Sequence, residues 1–418
     1  MNEHVLVVGT GRNNPALLRR DRPHVRTTLI CQVEYLGNVR EPAGHVRVIG
    51  VRGDSDDQEW ITMVSAVHTV DPFTRIATFG ERDQDRYAAI GEALGLSALS
   101  PATVAVVHDK DAMRTRLRET GVDATAHARV PDLAELTAFV RDHGLPVVVK
   151  PVHSMGSAGV TKVGAESELA AAFERASGSY MGLVNTGVLV EQFHDGPQFS
   201  VEAFTEHGVH QVVGITRKYS DPVSLVELGH VSPAPLSDEQ QEEVHTYIGR
   251  MLDALGVESG PTHTEIVLTQ DGPRTIETHV RAGGDEIPAL TFDATGVDIA
   301  EYTVRQTLGE KILPDVRATL AEGGTGRGSA IWFAAVDAPG EVERITGVEE
   351  ARALPGVTDV SVTARPGSMV GTLVSSDSRI AQVRAEGETA EEAVRAAREA
   401  VALLGVCLKV RPLAGDVV

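Results

Sequence analysis

Cysteine and lysine are both scarce in this 418-residue chain. The two cysteines, Cys31 and Cys407, lie far apart and have neither the spacing of a metal site nor that of a redox motif. They indicate a reducing compartment and exclude a disulfide framework. Only six lysines stand against thirty-two arginines. A lysine beside a glycine-rich loop is therefore informative.

Long apolar runs are absent as well. No stretch approaches the ~18 apolar residues of a membrane span, and no basic segment precedes the apolar N-terminal residues 5–8. A net charge of −21 excludes a general nucleic-acid binder, because an acidic surface repels phosphate backbones. We expect a cytoplasmic protein of two or three domains with no nucleic-acid or membrane partner.

Apolar runs alternate with helical stretches over the first hundred residues. Strands are predicted at 4–9, 27–31, 46–51 and 76–79, with helices at 15–20, 58–67 and 82–94. This alternation is typical of a parallel sheet. Gly9-x-Gly11 lacks the third glycine of a dinucleotide fingerprint, so we favour a Rossmann-like domain with a structural or substrate role over a cofactor site.

The most informative stretch runs from Leu145 to Val160, LPVVVKPVHSMGSAGV. Its β-branched residues predict a buried strand that ends at Lys150, and a loop of small residues leads to a returning strand from Val160. Small residues let backbone N–H groups approach anionic oxygens, and Lys150 adds a fixed positive charge. The pattern suits a polyphosphate but is not a P-loop, and a plain turn with a solvated lysine is the alternative.

Two helices are predicted before this stretch, with Thr103 and Asp109 as their caps and Gly121 ending the second. Lys110 then lies in the first turn of the second helix, where a cation opposes the helix dipole. A bound phosphate would remove that conflict.

Residues 261–285 predict a β-hairpin with acidic side chains. A three-residue loop, Gln270–Gly272, would place Glu265 directly opposite Glu277, whereas a two-residue turn at Asp271 and Gly272 would put them on opposite faces. Opposed carboxylates at ~5 Å repel one another unless a cation lies between them, and hard oxygen ligands suit Mg²⁺. A solvated polar face on an edge hairpin is the alternative.

The rest of the chain is predicted to alternate helices, a loop and strands. The loop extends from about residue 310 to Gly328 and contains the glycine-rich linker 323–328. Helices are predicted at 287–295, 298–309 and 389–404. The remaining elements of the C-terminal stretch are predicted at 330–336, 347–353, 357–362 and 406–410.

Over roughly residues 100–310, this succession of features resembles the ATP-grasp superfamily of carboxylate–amine and carboxylate–thiol ligases. The segments Glu227–Leu236 (ELGHVSPAPL) and Arg281–Asp285 (RAGGD), with the C-terminal β/α portion, look similar to the L-amino acid ligases that make dipeptides. The resemblance implies an α/β and α+β multidomain fold. The implied divisions are a Rossmann-like domain at 1–100, an ATP-grasp region at 101–315 with a lid lobe at about 125–195, and a C-terminal α+β portion at 316–418.

The resemblance also implies roles for individual residues. Phosphates would be held by Lys110 and Lys150 and covered by a loop that contains His153, Ser154, Gly156, Ser157 and Gly159. Adenine would lie against Glu191, Gln192 and Phe193, and the ribose against Gln198, where the family often has glutamate. The metal ligands would be Glu265, Glu277 and His279, the last in place of the family's asparagine. Arg281 would bind the reacting carboxyl, and His230 would approach the transferring phosphoryl group.

The implied activity is that of an ATP-dependent C–N ligase. It would activate an amino acid carboxylate as an acyl phosphate and join it to an amine, most simply a second amino acid, with release of ADP and phosphate. The cofactors would be ATP and Mg²⁺, with Mn²⁺ as the alternative metal, and the protein would be a homodimer. The competing hypotheses are another carboxylate–amine ligase or carboxylase-type enzyme, as in purine synthesis, and a nucleotide-binding module that has lost its chemistry.

Overall fold

The computed structural model describes residues 3–180 and 184–409, and within those residues it forms four β-sheets with helices packed on them. The expected α/β and α+β multidomain fold is confirmed. In the described ranges, no helix has both the length and the apolar composition needed to cross a membrane.

The first sheet is parallel, in the order β3-β2-β1-β4, and three helices accompany it. The elements are β1 (Glu3–Val8), α1 (Asn14–Arg19), β2 (Val25–Gln32), β3 (Arg47–Val51), α2 (Asp57–Val70), β4 (Arg75–Thr78) and α3 (Gln84–Leu94). All seven were predicted to within a few residues. The strand order reverses between β1 and β4, so the loops that follow these two strands open onto one crevice.

Two helices, α4 (Pro101–His108) and α5 (Lys110–Glu119), follow the first sheet. The prediction that Thr103 caps α4 is wrong. The cap is Ser100, whose Oγ accepts the Thr103 N–H at 3.0 Å, while the Thr103 hydroxyl donates to the Gly256 carbonyl. Asp109 caps α5 as predicted, accepting N–H bonds of 2.9 and 3.0 Å, and so places Lys110 at the first helical position.

The second sheet is antiparallel, in the order β5-β8-β6-β7. Its elements are β5 (His127–Val130), α6 (Leu133–His143), β6 (Val147–Pro151), β7 (Thr161–Val163), α7 (Leu169–Ala176) and β8 (Val188–Gln192). The predicted return strand is confirmed as β7, which pairs with β6. Residues 153–160 therefore form a loop between two paired strands, and we call them the glycine-rich loop.

An eight-stranded sheet, in the order β13-β12-β9-β10-β11-β14-β18-β16, extends through the rest of the chain, beside a small sheet β17-β15-β19. The strands are β9 (Gln198–Glu206), β10 (Val209–Ser220), β11 (Glu227–Ser232), β12 (Ser259–Thr269), β13 (Gly272–His279), β14 (Gly328–Ala334), β15 (Gly340–Thr346), β16 (Val357–Val362), β17 (Met369–Val370), β18 (Ala381–Gly387) and β19 (Gly405–Lys409). The helices are α8 (Asp238–Leu255), α9 (Ile287–Thr295), α10 (Ile299–Thr307), α11 (Leu313–Ala321), α12 (Val348–Arg352) and α13 (Ala390–Ala402). Strands β14, β16 and β18 continue the sheet begun by the hairpins, so the C-terminal part shares that sheet.

The core below this sheet is built by α8. Its apolar residues Val244, Ile248 and Leu252 recur at helical spacing and are buried with Phe199 and Ile266 of the sheet. Burying such side chains contributes roughly 1.5–3 kcal/mol each, which holds the sheet floor rigid beneath the polar side chains above it.

The predicted loop from residue 310 to Gly328 is wrong, because α11 occupies part of it. Ile312, Leu313 and Val316 are buried against Phe204, and the Ile312 and Leu313 N–H groups both donate to the Glu206 carboxylate at 3.0 Å. The helix depends on that distant carboxylate, which the local sequence does not indicate. Strands β15, β17 and β18 were not predicted either, and Val410, the predicted end of the last strand, lies outside the described residues.

Glu265 does face Glu277, but the three-residue loop that would have placed them opposite each other is not formed. Thr269 pairs with Gly272, so the turn contains only Gln270 and Asp271. A β-bulge between Glu265 and Ile266 then shifts the register by one residue and restores the direct pair.

We expect Ser100→Ala to lower the free energy of unfolding by about 1 kcal/mol, because α4 loses its N-cap. Urea denaturation measures this difference. The matched control is Ser97→Ala, at an exposed position outside the helix. Equal stability of the two variants would contradict the assigned cap.

Candidate functional site

Three of the six lysines are buried, and all three lie where the second sheet meets the eight-stranded sheet. Lys110, Lys150 and Lys218 are 8%, 4% and 3% exposed, whereas the other three, Lys162, Lys311 and Lys409, are exposed. A buried ammonium is costly unless an anion compensates it. Each buried lysine is in fact paired with a carboxylate, and these pairs define the site.

Lys150, at the end of β6, forms an ion pair of 2.5 Å with Glu191 of β8. Arg114 of α5 donates to the other oxygen of Glu191 at 2.9 Å. Burial by itself would raise the pKa of Glu191, but these two cations hold it below its ordinary value. Burial lowers the pKa of Lys150, and the nearby cations Arg114 and Lys110 lower it further. Lys150 and Glu191, which were predicted separately as phosphate and adenine contacts, are thus brought together, and Arg114 is an unpredicted third member of the group.

The backbone beside Glu191 is held by hydrogen bonds to two neighbouring segments of the same chain. The Gln192 N–H donates to the Ala126 carbonyl at 2.9 Å, and the Phe193 N–H donates to the Pro146 carbonyl at 3.3 Å. The Lys162 ammonium lies 3.8 Å from the centre of the Phe193 ring.

Lys110 connects the glycine-rich loop to the eight-stranded sheet. Its ammonium donates to the Ser154 carbonyl at 3.1 Å and lies 3.2 Å from the Glu277 carboxylate. Burial would lower the pKa of Lys110, but Glu277 and Glu81 outweigh it and raise the pKa above its ordinary value. Lys110 therefore stays charged.

Lys218 was not predicted. It lies on β10, 2.5 Å from Glu265 and 3.1 Å from Glu227 of β11. Lysine scarcity was the signal that could have found it, because the two predicted lysines were noticed for the same reason. Burial would raise the pKa of Glu265, but Lys218 lowers it to about 2.

Within residues 3–180 and 184–409, no group of three or more histidine, cysteine, aspartate or glutamate side chains is arranged to hold a metal ion. Glu265 and Glu277 face each other but are engaged by Lys218 and Lys110 respectively. A metal at this point would have two protein carboxylates and would need its remaining ligands from elsewhere.

His279 lies between two carboxylates. Its Nδ1 is 3.1 Å from Glu81, in the loop after β4, and its Nε2 is 3.2 Å from Glu277. Burial would lower the pKa of His279, but Glu81, together with Glu277, raises it above its ordinary value despite the nearby Arg281. Both ring nitrogens are therefore occupied by carboxylates in this structure.

Glu81 also pairs with Arg281 and was not predicted. The Arg281 Nε and Nη2 groups donate to one Glu81 oxygen at 3.0 and 2.5 Å. Glu81 fixes the plane of the guanidinium, and the loop after β4 thereby contacts the end of β13. Only the packing of the first sheet against the eight-stranded sheet brings residues 81 and 281 together.

A second unpredicted pair lies behind Glu265. His263 Nδ1 is 2.5 Å from Glu202, and its Nε2 is 3.5 Å from Glu265. Burial would lower the pKa of His263, but Glu202 raises it to about 9. Its ring stacks on His279 with centres 5.8 Å apart.

The glycine-rich loop lies above these groups. Gly156 and Gly159 have positive φ angles, and a Cβ at Gly159 would meet Tyr180 at 2.6 Å and Pro151 at 2.8 Å. The Ser157 hydroxyl donates to the Leu225 carbonyl at 3.3 Å. Burial lowers the pKa of His153, so this ring adds no fixed charge at neutral pH.

Gln198 begins β9 opposite Lys218, and its side-chain oxygen accepts the Ser220 hydroxyl at 3.4 Å. Gln198 is therefore the cross-strand neighbour of Lys218, a buried cation of the site.

His230, on β11, is buried with its Nε2 3.3 Å from Asp285. Asp285 accepts two bonds of 2.7 Å from Arg379. Burial would raise the pKa of Asp285, but His230 and Arg379 hold it well below its ordinary range. Arg379 was not predicted, and it comes from the C-terminal part of the chain.

A cleft of about 1430 Å³ leads to this group from the first sheet. Its walls include the loops after β1 and β4, Met155 of the glycine-rich loop, and Arg281 and Asp285. The crevice at the strand reversal is thus continuous with the charged side chains.

The chain was compared with known proteins. Residues 143–289 match the ATP-grasp domain, and residues 332–409 match the L-amino acid ligase C-terminal domain 2. An uncharacterized protein of Sinorhizobium fredii is 32% identical over 288 residues, which cover 68% of this chain and 58% of that protein. The alanine–anticapsin ligase of Bacillus subtilis is 27% identical over 265 residues, which cover 58% and 55%.

The fold is similar to that in the crystal structure of an L-amino acid ligase from Bacillus licheniformis, with a TM-score of 0.82 and 23% identity. That match covers 98% of this chain and 99% of the other. The chain spans a little over half the length of the curated relatives it matches.

We expect Lys218→Met to reduce the free energy of unfolding at neutral pH by about 3 kcal/mol, because Glu265 and Glu227 lose their buried partner. Lys218 depresses the pKa of Glu265, so its contribution is present above the ordinary carboxyl pKa and is lost as the pH falls towards 2. The difference between wild type and variant in urea denaturation should therefore shrink in acid. Lys409→Met, at an exposed lysine, is the control, and a difference independent of pH would contradict the pairing.

For His279→Asn we expect the free energy of unfolding to depend differently on pH in the alkaline range. The raised pKa means that the protonated ring stabilises the folded protein below its ordinary pKa, and that this contribution disappears as the pH rises through the higher folded value. The variant should lose this alkaline decline in stability, whereas His245→Asn, at an exposed histidine on α8, should keep it. If His279 were a metal ligand instead, wild-type activity would fall towards acid pH, and the variant would lose that acid limb.

Proposed function

Because the chain is an ATP-grasp protein that also contains the C-terminal domain 2 of L-amino acid ligases, we propose that it is an ATP-dependent ligase. It joins an amino acid carboxylate to an amine and releases ADP and phosphate. The names of its relatives support a second amino acid as the amine.

One observation supports this proposal above the others. Lys110, Lys150 and Lys218 are buried against Glu277, Glu191 and Glu265 in a seam that the glycine-rich loop covers. A nucleotide triphosphate that enters with a divalent cation offers anions to the lysines and a cation to Glu265 and Glu277. When such a ligand binds, each lysine exchanges its carboxylate partner for a phosphate, and the total charge of the buried seam stays balanced. The ion pairs can therefore separate for this ligand without leaving a buried charge unpaired.

Glu265 and Glu277 would hold Mg²⁺, since their oxygens are hard donors with pKa values held low. When bound, the ion neutralises phosphate oxygens. We propose that His279 orients Glu277 through its Nε2 contact. That His279 is a third metal ligand stays a prediction, which the pH dependence of stability and activity described above tests. The alternative of Mn²⁺ also stays a prediction.

The reaction needs activation because a carboxylate is a poor electrophile. A carboxylate oxygen attacks the γ-phosphorus, and the bond from that phosphorus to the ADP oxygen breaks. The amine nitrogen then attacks the acyl carbon, phosphate leaves, and the nitrogen loses a proton. The three lysines balance the charge that moves between oxygens, which is catalysis by position and charge.

Arg281 lines the cleft, as does Asp285, the partner of His230. We propose that the carboxylate meets the γ-phosphoryl group at this end of the seam. Glu81 engages one side of Arg281, and we propose that the guanidinium binds the reacting carboxyl and then stabilises the tetrahedral oxyanion. The glycine-rich loop excludes water, which would otherwise hydrolyse the acyl phosphate. His153, Ser154, Gly156, Ser157 and Gly159 would cover the phosphates, while Glu191, Gln192, Phe193 and Gln198 would hold the adenosine.

We also propose the division of the chain near residues 100 and 315, a homodimer, and a cytoplasmic location. ATP supply and two unpaired cysteines fit the last proposal.

The test is ADP release in the presence of amino acids supplied singly and in pairs, with amide product measured by mass spectrometry. We expect ADP and amide in equal amounts, and a loss of at least ~100-fold in Glu277→Gln because the proposed Mg²⁺ would lose one of its two carboxylate ligands. Glu174→Gln, at an exposed position on α7, is the control. ADP release that needs bicarbonate would favour the carboxylase-type alternative, and nucleotide binding without turnover would favour the binding module.

A further inference from the structure

A short segment of the C-terminal part of the chain, Ser375–Arg379 between β17 and β18, reaches the charged seam. We call it the C-terminal turn. We propose that this turn belongs to the active site: Ser376 fastens the glycine-rich loop in its closed position, and Arg379 is a positioning residue that holds His230 through Asp285. The inference rests on the proposed ligase function and extends it to a part of the chain that the motifs do not include.

The first contact of the turn is with the glycine-rich loop. The Ser376 N–H donates to the Gly156 carbonyl at 3.1 Å, and the Ser376 hydroxyl donates to Glu227 at 3.3 Å. Glu227 is the second carboxylate of Lys218. The loop is held on its other side by the bond from Ser157 to the Leu225 carbonyl. Opening the loop therefore requires its release from the C-terminal turn as well as from Leu225 in the connection between β10 and β11.

The second contact of the turn is with Asp285. The two terminal nitrogens of Arg379 donate to the two Asp285 oxygens, both at 2.7 Å. Such a bidentate pair fixes the plane of the carboxylate. Asp285 in turn meets His230 Nε2 at 3.3 Å, and its own backbone has a φ of +50°. Asp285 is thus held where its chain would not place it without a partner.

Arg379 is itself rigidly placed. Its guanidinium lies 3.8 Å from the centre of the Phe333 ring, and its side chain is 11% exposed. The same ring lies nearly perpendicular to the His230 ring, with ring centres 5.7 Å apart. Phe333 thereby supports both ends of the chain from Arg379 through Asp285 to His230, which is the geometry expected of groups that orient a reacting residue.

The two contacts are joined within the turn. Arg379 Nε donates to the carbonyl of Ser376 at 2.9 Å, so the residue on Asp285 and the residue on the loop cannot move independently. Closure of the glycine-rich loop and the orientation of His230 are therefore coupled. A turn with only a packing role would stabilise the fold without linking these two events.

The positioning role is tested by Arg379→Gln, Arg379→Lys and Arg379→Ala, with Arg395→Gln on the exposed side of α13 as the control. We expect kcat to fall on the order of 10- to 100-fold in Arg379→Gln, with the Kd for ATP within about twofold of wild type. Arg379→Lys keeps the charge without the bidentate pair and should recover only part of the rate. Added guanidinium should raise turnover in Arg379→Ala and leave wild-type turnover unchanged. A kcat equal to that of the control, or a loss that follows unfolding and is not rescued, would overturn the role of Arg379.

The fastening role is tested by a reversible cross-link. A Cβ at position 156 would lie 3.4 Å from the Ser376 Cβ, near the ~3.8 Å separation in disulfides. The double variant Gly156→Cys/Ser376→Cys is oxidised with ADP bound, and ADP release is followed before and after reduction. We expect release to slow at least ~10-fold on oxidation and to recover with reductant, because the loop cannot open. The single variants give the baseline for the strain at Gly156 and for Cys31 and Cys407.

The outcomes separate the two proposals. Failure of the wild-type protein to bind ADP would refute the nucleotide site itself. Binding with a verified cross-link and unchanged release would refute the fastening role alone. Failure of the cross-link to form in the presence of ADP would also refute it, since the Gly156–Ser376 contact would then be absent from the closed state.

Discussion

The compensation of buried lysines by buried carboxylates is the constraint on which the rest of the structure depends. Lys110, Lys150 and Lys218 come from a helix start, a strand end and a strand interior, yet all reach one seam. None could be desolvated alone, because an unpaired buried charge costs several kcal/mol. The elements that supply their partners must therefore meet at this point, and the sheets are arranged accordingly.

Charge compensation also explains why distant parts of the chain enter the site. Glu81 extends from the first sheet to Arg281 and His279, and Arg379 extends from the C-terminal part to Asp285. Each contact adds a counter-charge to a group of the site, although His279 also meets Glu277 and Asp285 also meets His230. The ligase assigned to this seam would thus draw on every part of the chain, although the recognisable motifs lie between residues 100 and 310.

The opposed carboxylates show how a correct prediction can rest on an incorrect mechanism. The sequence restricted Glu265 and Glu277 to a few registers, and only direct opposition suits a shared cation. Of the two turns considered, only a three-residue loop was expected to give direct opposition, but a two-residue turn and a β-bulge produce the same pair. The sequence does not indicate this bulge. Because β12 pairs with β9 in unbroken register, the extra residue, Ile276, lies on β13. The error at Thr103 has a related cause, since its hydroxyl is used by Gly256 from a distant helix end.

The sequence by itself determined the elements whose signals are local: the strands of the first sheet, the cap at Asp109, the glycine-rich loop between β6 and β7, and α8 with its apolar spacing. Those signals also sufficed to name Lys110, Lys150, Glu265 and Glu277, whereas Glu191 was named only by the resemblance to ATP-grasp ligases. Only the tertiary structure decided that Lys218, Glu81, His263 and Arg379 join them, and that α11 replaces a predicted loop. The physical reason is that charge pairing acts through space across a desolvated seam, so a residue's partner can lie two hundred positions away.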